Sequence, residues 1–158
     1  MFRDLLKWKR GISKEECIEI LKKETRGVLS VIGDDDYPYC APMNHFYNEE
    51  DGKIYFHCGN VGHRIDALKK NNKVSFCTYE QGEREAGEWA YKVRSVVVFG
   101  RMEIIDDMDK IKEITRKLCY KFVQDEAYIE KEIALYAHET LLLELTPEHM
   151  TGKKVTES

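Results

Sequence analysis

A short segment in the first half of the chain, IYFHCGNVGHR at residues 54–64, combines features that could bind an anion. An apolar stretch ends in His57 and Cys58, two glycines follow, and a helical pattern starts close to Arg64. The first amides of a helix have no partner within the helix, and an arginine offers a phosphate a bidentate donor group. With Asn60 as the N-cap, the spacing predicts a phosphate-binding helix start, although glycines also occur at ordinary helix starts.

Histidine and cysteine near this segment raise two other possibilities, a metal site and a nucleophilic cysteine. The order of His45, His57, Cys58 and His63 fits no common ligand spacing, so we expect no metal. Neighbouring residues on a strand point to opposite faces, so His57 is not expected to activate Cys58. The simpler interpretation of Cys58 is a small core residue.

Hydrophobic periodicity predicts the elements around this segment, and most of them are strands. Strand-like stretches cover residues 28–32, 37–44, 45–47, 54–57, 73–79, 95–105 and 141–145. Helical patterns cover a capped segment that starts at Ser13, the stretch after the glycines, the face from Met108 to Phe122, and about 127–138. About six strands with few long helices between them predict a mainly β protein, an antiparallel barrel with helices packed outside.

The strand at 95–105 is apolar on both faces, because it contains Val96-Val97-Val98-Phe99. A half-exposed strand would alternate apolar and polar residues. Two explanations remain open: a helix covers the outer face, or a second copy of the chain does.

Length, charge and cysteine content narrow the class of protein. The 158 residues fit one domain over 1–158, and the formal charge of −4 gives no general attraction to nucleic acid, so we expect no nucleic-acid partner. The sequence contains no run of about 18 apolar residues, so we expect no membrane span. The N-terminal MFRDLLKWKRG lacks the apolar block of a secretory signal, and the five cysteines contain no CxxC pair. We therefore expect a cytoplasmic protein with reduced thiols.

Several segments in a fixed order carry a resemblance to a known family. They are the capped helix, YPYCAPMN at 37–44, IYFHCGNVGHRIDALKKNNKVSF from residue 54, and RSVVVFGRMEII from residue 94. Together they resemble the FMN-binding split-barrel proteins related to pyridoxamine 5′-phosphate oxidase. The HMTGK at 149–153 is similar to the pattern of the nitroimidazole-resistance (Nim) subgroup. The resemblance implies a six-stranded antiparallel split β-barrel that forms a homodimer, with FMN at the subunit interface.

The resemblance also implies which residues hold the FMN phosphate. The phosphate-binding residues of the family fall on the helix start, at Gly62, His63 and Arg64. In the Nim subgroup, the histidine after the apolar strand is a suggested active-site residue, and here it is His57. We expect His57 to contact the cofactor and to line the substrate side as a proton donor.

The flavin ring would be contacted by one strand and by one residue of a neighbouring strand. The matching strand residues are Ala41, Pro42, Met43 and Asn44. Ser95 matches a position that commonly faces the flavin.

The function implied is that of an FMN-dependent oxidoreductase that passes electrons from NAD(P)H to a small acceptor, for instance a nitro-aromatic compound. Oxidation of pyridoxamine phosphate is not expected, because LTPEHMTGKKVTES at the C-terminus lacks the basic and aromatic residues that bind that substrate. The alternative is a non-catalytic carrier or sensor of flavin or haem on the same barrel, with an axial nitrogen from His45, His57 or His63. A structural module whose glycine turn is only a turn is a third possibility.

Overall fold

A computed structural model describes residues 1–157 of the chain. The strands are β1 Arg26–Ile32, β2 Pro38–Asn44, β3 Phe46–Asn48, β4 Lys53–Gly59, β5 Lys73–Tyr79, β6 Tyr91–Ile105 and β7 Thr140–Glu157. The helices are α1 Lys14–Lys23, α2 His63–Lys70, α3 Met108–Cys119 and α4 Glu126–Tyr136. None of the helices within these residues has both the length and the apolar character needed to cross a bilayer.

The strands form one curled antiparallel sheet in the order β2-β1-β5-β6-β7-β4-β3. The mainly β class and the antiparallel split barrel are thereby confirmed. Seven strands are present where the family resemblance implied six, and they include the predicted short strand near 45–47, which pairs with β4 as Phe46–Asn48. The free edge of β2 lies beside the second half of β4, Phe56–Gly59, without a ladder between them. We call this groove between the two unpaired edges the split.

The longest antiparallel strand pair, β6–β7, is the central support of the sheet. Its register runs from Tyr91 opposite Glu157 to Ile105 opposite Leu142, with an irregularity at Phe99 and Gly100. The expected last strand, residues 141–145, is therefore only the first part of β7. The polar stretch that follows it has no apolar alternation, but its backbone pairs with β6 throughout.

The concave side of the sheet holds the main core, and two helices close it. Ser13 and Glu16 form the predicted capping box at the start of α1. The apolar face of α1, including Ile20 and Leu21, is buried in this core, as is Ile65 of α2. Burial of these faces fixes α2 against the sheet and so sets the position of the helix start that follows β4.

The convex side is covered only in part by helices. Helix α3 packs Ile111 and Ile114 against Tyr55 of β4 and Leu142 of β7. On β6, Val96 and Val98 point into the core, whereas Val97 and Phe99 lie on the convex face and stay partly exposed. The aromatic ring of Phe2 stacks on Phe99.

A buried carboxylate joins α3 to the sheet. Glu144 of β7, which is 2% exposed, accepts hydrogen bonds from Lys53 Nζ at 2.5 Å, from Tyr55 Oη at 2.9 Å, and from Lys110 Nζ of α3. Burial alone would raise the pKa of Glu144, but the hydrogen bonds from Lys110, Lys53 and Tyr55 lower it to about 2. The sequence pattern gave no sign of this cluster, because Glu144 sits in the middle of an apolar run.

Candidate functional site

Helix α2 begins at one end of the split, and its N-cap is Gly62. The expectation that Asn60 caps this helix was wrong: the first helical hydrogen bond runs from the Asp66 amide to the Gly62 carbonyl at 3.1 Å. Gly62 has φ 128° and ψ 171°, a conformation restricted to glycine. A Cβ built on Gly62 would meet no atom within 4 Å. The open amides are therefore those of His63, Arg64 and the residue after them, and the space before them is clear.

Arg64 lies half-buried beside this helix start. It makes no ion pair with any residue of the described chain. Its guanidinium lies close to Cys58, where burial raises the pKa of the thiol and Arg64 partly opposes that rise. Cys58 packs against the main core, as expected. Arg64 thus brings a positive charge without a carboxylate partner to the open amides.

The side chain of His63 is engaged elsewhere. Its Nε2 accepts a hydrogen bond from the Asp34 amide at 3.4 Å and lies 3.7 Å from the Asp34 carboxylate. Its ring also lies against Tyr39 of β2. The backbone amide of His63 faces the helix start, whereas its imidazole fixes α2 to the turn between β1 and β2.

The four predicted ring-contacting residues of β2 divide between the two faces of the strand. Met43 is in the core at 8% exposure, and Ala41 lies on the same face. Pro42 and Asn44 lie on the convex face. Only Pro42 and Asn44 can therefore offer side chains outside the barrel; Ala41 and Met43 can offer main-chain groups along the free edge.

At the other end of the split, Asn44 and His57 line one cavity of about 380 Å³. The side chain of His57 is exposed, and it borders this cavity, whose walls are largely apolar. Desolvation by these surroundings lowers the pKa of His57, so the imidazole is neutral at pH 7. The prediction that His57 and Cys58 point to opposite faces is confirmed, since Cys58 packs on the core side.

Ser95 lies apart from this cavity. It is on the convex face of β6, between Tyr79 of β5 and Lys153 of β7 in the register. The β1–β5 ladder ends at Val28 opposite Cys77, and its register extrapolates to Arg26 beside Tyr79; Arg26 in turn lies opposite Asn44, so Ser95 and the end of β2 lie along one cross-strand direction. Three strand spacings separate Ser95 from Asn44, roughly 14 Å. A ligand that contacts both must lie flat across the convex face.

His45 is excluded as an axial ligand to haem. Its side chain is fully buried, and Nε2 lies 2.8 Å from the Leu21 carbonyl. Desolvation lowers the pKa of His45 to about 3, which keeps the ring neutral, and Nε2–H then donates to Leu21. His45 therefore ties the end of α1 to the β2–β3 junction.

The family model described as pyridoxamine 5′-phosphate oxidase matches residues 13–154. The chain belongs to this family. The resemblance drawn from the helix start and its neighbouring strands is confirmed, and the match includes both walls of the split. The sequence has no significant match among curated proteins.

Solved structures of this architecture include flavin-binding proteins. A candidate 5-nitroimidazole antibiotic resistance protein from Bacteroides thetaiotaomicron is 21% identical, with a TM-score of 0.75 over 93% of this chain and 87% of the other. A FAD-binding protein from Mesorhizobium loti is 23% identical, with a TM-score of 0.66 over 92% and 97%. A FAD and haem binding protein from Mycobacterium smegmatis is 19% identical, with a TM-score of 0.72 over 94% and 74%. At these identities the likeness establishes the fold and leaves the activity open.

Sequence reasoning missed the wall of the cavity opposite His57. That wall comes mainly from α3, α4 and the loop between them, including Thr115, Phe122 and Tyr128. The only signal was the apolar periodicity of the two helices, which equally describes any helix packed on a sheet.

Proposed function

We propose that the protein is a flavin-dependent oxidoreductase that binds FMN along the split. The observation that carries this proposal is that both ends of the split suit different parts of one ligand. One end has open helix amides, Gly62 and the unpaired charge of Arg64, which fit a phosphate. The other end has Asn44 and His57 beside an apolar cavity, which fits the surroundings of an aromatic ring.

The residues of the chain fit this cofactor in several respects. A methyl group on Gly62 would project into the clear space before the amides, so glycine keeps that space open. Arg64 stands in the first turn of this helix without a carboxylate partner among residues 1–157, and a phosphate would provide that partner. Pro42 and Asn44 would contact the ring from β2, and Ser95 would approach it from β6 by the shared cross-strand row.

Bound flavin supplies the transfer of electrons from a reduced nicotinamide to an acceptor. For a nitro-aromatic acceptor the balance is simple: NAD(P)H loses a hydride to become NAD(P)⁺, and the nitro group gains two electrons and two protons to become a nitroso group and water. His57, which is neutral at pH 7, would hydrogen-bond the ring or acceptor and pass on a proton from water. Asn44 would orient the ring and hold it against the cavity.

We also propose that two copies of the chain pair through the convex face of β1, β5 and β6. The partly exposed Val28, Val97 and Phe99 lie there, with the ring of Phe2 stacked on Phe99. The sequence left two explanations for the apolar outer face of β6, a covering helix or a second copy of the chain. The partial exposure of Val97 and Phe99 favours a second copy of the chain. Ser95 lies on the same face, so pairing would enclose the flavin between subunits. The unpaired cysteines fit an enzyme of the reducing cytoplasm.

The first experiment is the visible spectrum of the purified protein, followed by identification of the ligand that heat releases. Two flavin bands and released FMN are expected. Arg64→Ala should then weaken FMN binding by roughly 10- to 100-fold, the loss of a charge-assisted hydrogen-bond pair. Lys69→Ala is the matched control, because Lys69 is an exposed lysine in the last turn of the same helix and makes no ion pair within residues 1–157. A colourless protein that ignores added FMN, or an Arg64→Ala protein with unchanged affinity, would overturn the proposal.

One observation favours a second function, the non-catalytic binding of haem or flavin. His57 has a free imidazole that opens into an apolar cavity, a suitable position for an axial ligand. A Soret band in the purified protein that disappears in His57→Ala would support haem binding. A flavin spectrum together with NAD(P)H oxidation would exclude the purely non-catalytic role.

A further inference from the structure

Arg26, at the start of β1, lies between two residues that the proposed function places against the flavin ring. Asn44 is its partner across the β1–β2 ladder, and Ser95 lies along the same cross-strand direction, beyond Tyr79 of β5. The side chains of Arg26 and Tyr79 are both exposed on this convex face. A flat ligand that contacts Asn44 and Ser95 must therefore pass over Arg26.

The side chain of Arg26 fixes the orientation of the Asn44 amide. Arg26 Nε donates a hydrogen bond to Asn44 Oδ1 at 3.3 Å. Because a guanidinium group can only donate, the amide oxygen must face Arg26, and the NH₂ group of Asn44 points away from it. Asn44 therefore offers a ligand its N–H donors rather than its oxygen.

Arg26 also brings a positive charge to this position. None of the ion pairs among residues 1–157 includes Arg26. A flavin ring gains negative charge when it is reduced, and hydrogen-bond donors and cations beside that charge stabilise it. A guanidinium and an amide donor at one edge of the ring would therefore favour the reduced form over the oxidised form.

Buried groups hold the backbone on which these two side chains stand. The hydroxyl of Thr78, a fully buried residue of β5, donates to the Arg26 carbonyl at 2.9 Å. Lys121 Nζ donates at 2.9 Å to the carbonyl of His45, the residue directly after Asn44. Both side chains thus start from fixed main-chain positions, which lowers the entropy cost of keeping their hydrogen bond.

We propose that Arg26 is a positioning residue of the flavin site, which holds the Asn44 amide as a donor to the ring and stabilises the reduced flavin by its charge. This inference rests on the proposed function, because it concerns FMN bound across the convex face. The expected consequence is a higher midpoint potential of the bound flavin, since a nearby cation favours the more negative form.

The test is the midpoint potential of bound FMN, measured by equilibration with reference dyes in the native protein and in Arg26→Gln. Glutamine keeps a donor but removes the charge. We expect the affinity for reduced FMN relative to oxidised FMN to fall about tenfold, which lowers the potential of this two-electron couple by about 30 mV. Arg26→Lys keeps the charge and should retain most of the native potential. An Arg26→Gln protein with the native potential would overturn the proposal.

Arg101→Gln is the matched control for the removal of one charge. Arg101 is an exposed arginine that also hydrogen-bonds an asparagine side chain, that of Asn72, at 3.3 Å. It is already paired with Glu148, and it lies beyond Ser95 along β6. Arg101→Gln should leave the potential unchanged. A shift as large as that of Arg26→Gln would indicate a general effect of net charge and would overturn the assignment.

Asn44→Ala tests whether Arg26 acts through the amide. In this background the further change Arg26→Gln should lower the potential less than it does in the native protein, because the shared hydrogen bond is already lost. An effect of full size in both backgrounds would overturn the positioning role.

The same measurements separate this inference from the proposed function. A native protein that binds no FMN would remove both. A native protein that binds FMN, together with an Arg26→Gln protein of unchanged potential, would remove this inference alone. Arg26 is exposed, so we expect Arg26→Gln to fold like the native protein, and urea unfolding of each variant checks this.

Discussion

The rings of Tyr39 and His63 lie against each other with centroids 4.4 Å apart, although Tyr39 belongs to β2 and His63 to the start of α2. The two elements border the split from opposite sides and share no strand ladder. This contact, together with the hydrogen bond from the Asp34 amide to His63, fixes the distance between the two walls. The family resemblance implied that His63 holds a phosphate. In this chain its imidazole instead contacts Tyr39 and Asp34 and so helps to set the width of the split.

Replacing Gly62 with alanine should weaken FMN binding and destabilise the start of α2. A residue with a side chain at φ 128° and ψ 171° is strained by roughly 1–3 kcal/mol, and its methyl group would enter the space before the amides. Gly59→Ala is the matched control, since its Cβ would also meet no atom within 4 Å and its φ is not positive. Flavin fluorescence titration should show a clear loss for Gly62→Ala only. Equal effects at both positions would contradict the role given to Gly62.

A charge on the convex face should separate the proposed dimer. Val97→Lys puts an ammonium between strands β5 and β7, on the face we propose to be shared by two copies. Leu135→Lys is the control, because Leu135 is an exposed apolar residue on α4, away from this face. Sedimentation velocity should find monomers for Val97→Lys and dimers for the native and control proteins, with weaker FMN binding only in the monomer. A dimeric Val97→Lys protein would place the interface elsewhere.

Buried His45 should make the protein less stable in mild acid. Its folded-state pKa is about 3 and its ordinary value about 6.5, so between these pH values the unfolded chain binds a proton that the folded chain does not. The free energy of unfolding therefore falls as the pH decreases below 6.5. At pH 4.5 the contribution of His45 to this loss is roughly 2–3 kcal/mol relative to pH 6.5. Urea unfolding at pH 7 and pH 4.5 measures the difference.

The control for this acid effect is an exposed histidine. His45→Gln should show a smaller loss of stability between pH 7 and pH 4.5 than the native protein, because glutamine has no proton to bind there. His138→Gln, whose side chain is exposed, should lose as much as the native protein. If His45→Gln loses as much stability between pH 7 and pH 4.5 as the native protein, groups other than His45 cause the acid effect.

The Glu144 cluster should contribute measurably to stability. Glu144→Gln leaves Lys53 and Lys110 without their carboxylate, and we expect a loss of roughly 2 kcal/mol. This is less than for a fully buried pair, because both lysines retain contact with water. Glu103→Gln, the exposed neighbour opposite Glu144 on β6, should change the free energy of unfolding little. Urea unfolding of the two variants at pH 7 tests this, and similar losses would show that the cluster is not specific.

Most of the fold could be predicted because local signals agreed with the final packing. The capping box at Ser13 and the period-two strands around 28–32 and 73–79 each indicated an element that the structure contains. The length of β7 could not be predicted, since its second half is polar and is held by backbone pairing with β6. Two helices separate β6 from β7 in the sequence, and the backbone hydrogen bonds that later join these strands do not depend on a side-chain pattern.

The site could be predicted only where its residues are adjacent in sequence. Gly62 and Arg64 stand in one motif, and their types predict an anion-binding helix start. The N-cap was misassigned because asparagine is a common cap and only backbone geometry shows that Gly62 fills the position. The cavity wall from α3 and α4 could not be recognised, since it depends on how the two helices lie over His57.

The split is also the part of the architecture most open to evolutionary change. Its two walls are each anchored to the sheet on their far sides and are not tied together by a ladder. A substitution on one wall can therefore widen or narrow the groove while every strand pairing and the main core stay as they are. Descendants of one ancestral barrel can exchange one bound molecule for another through a few changes at these edges, long before the core needs to be rebuilt.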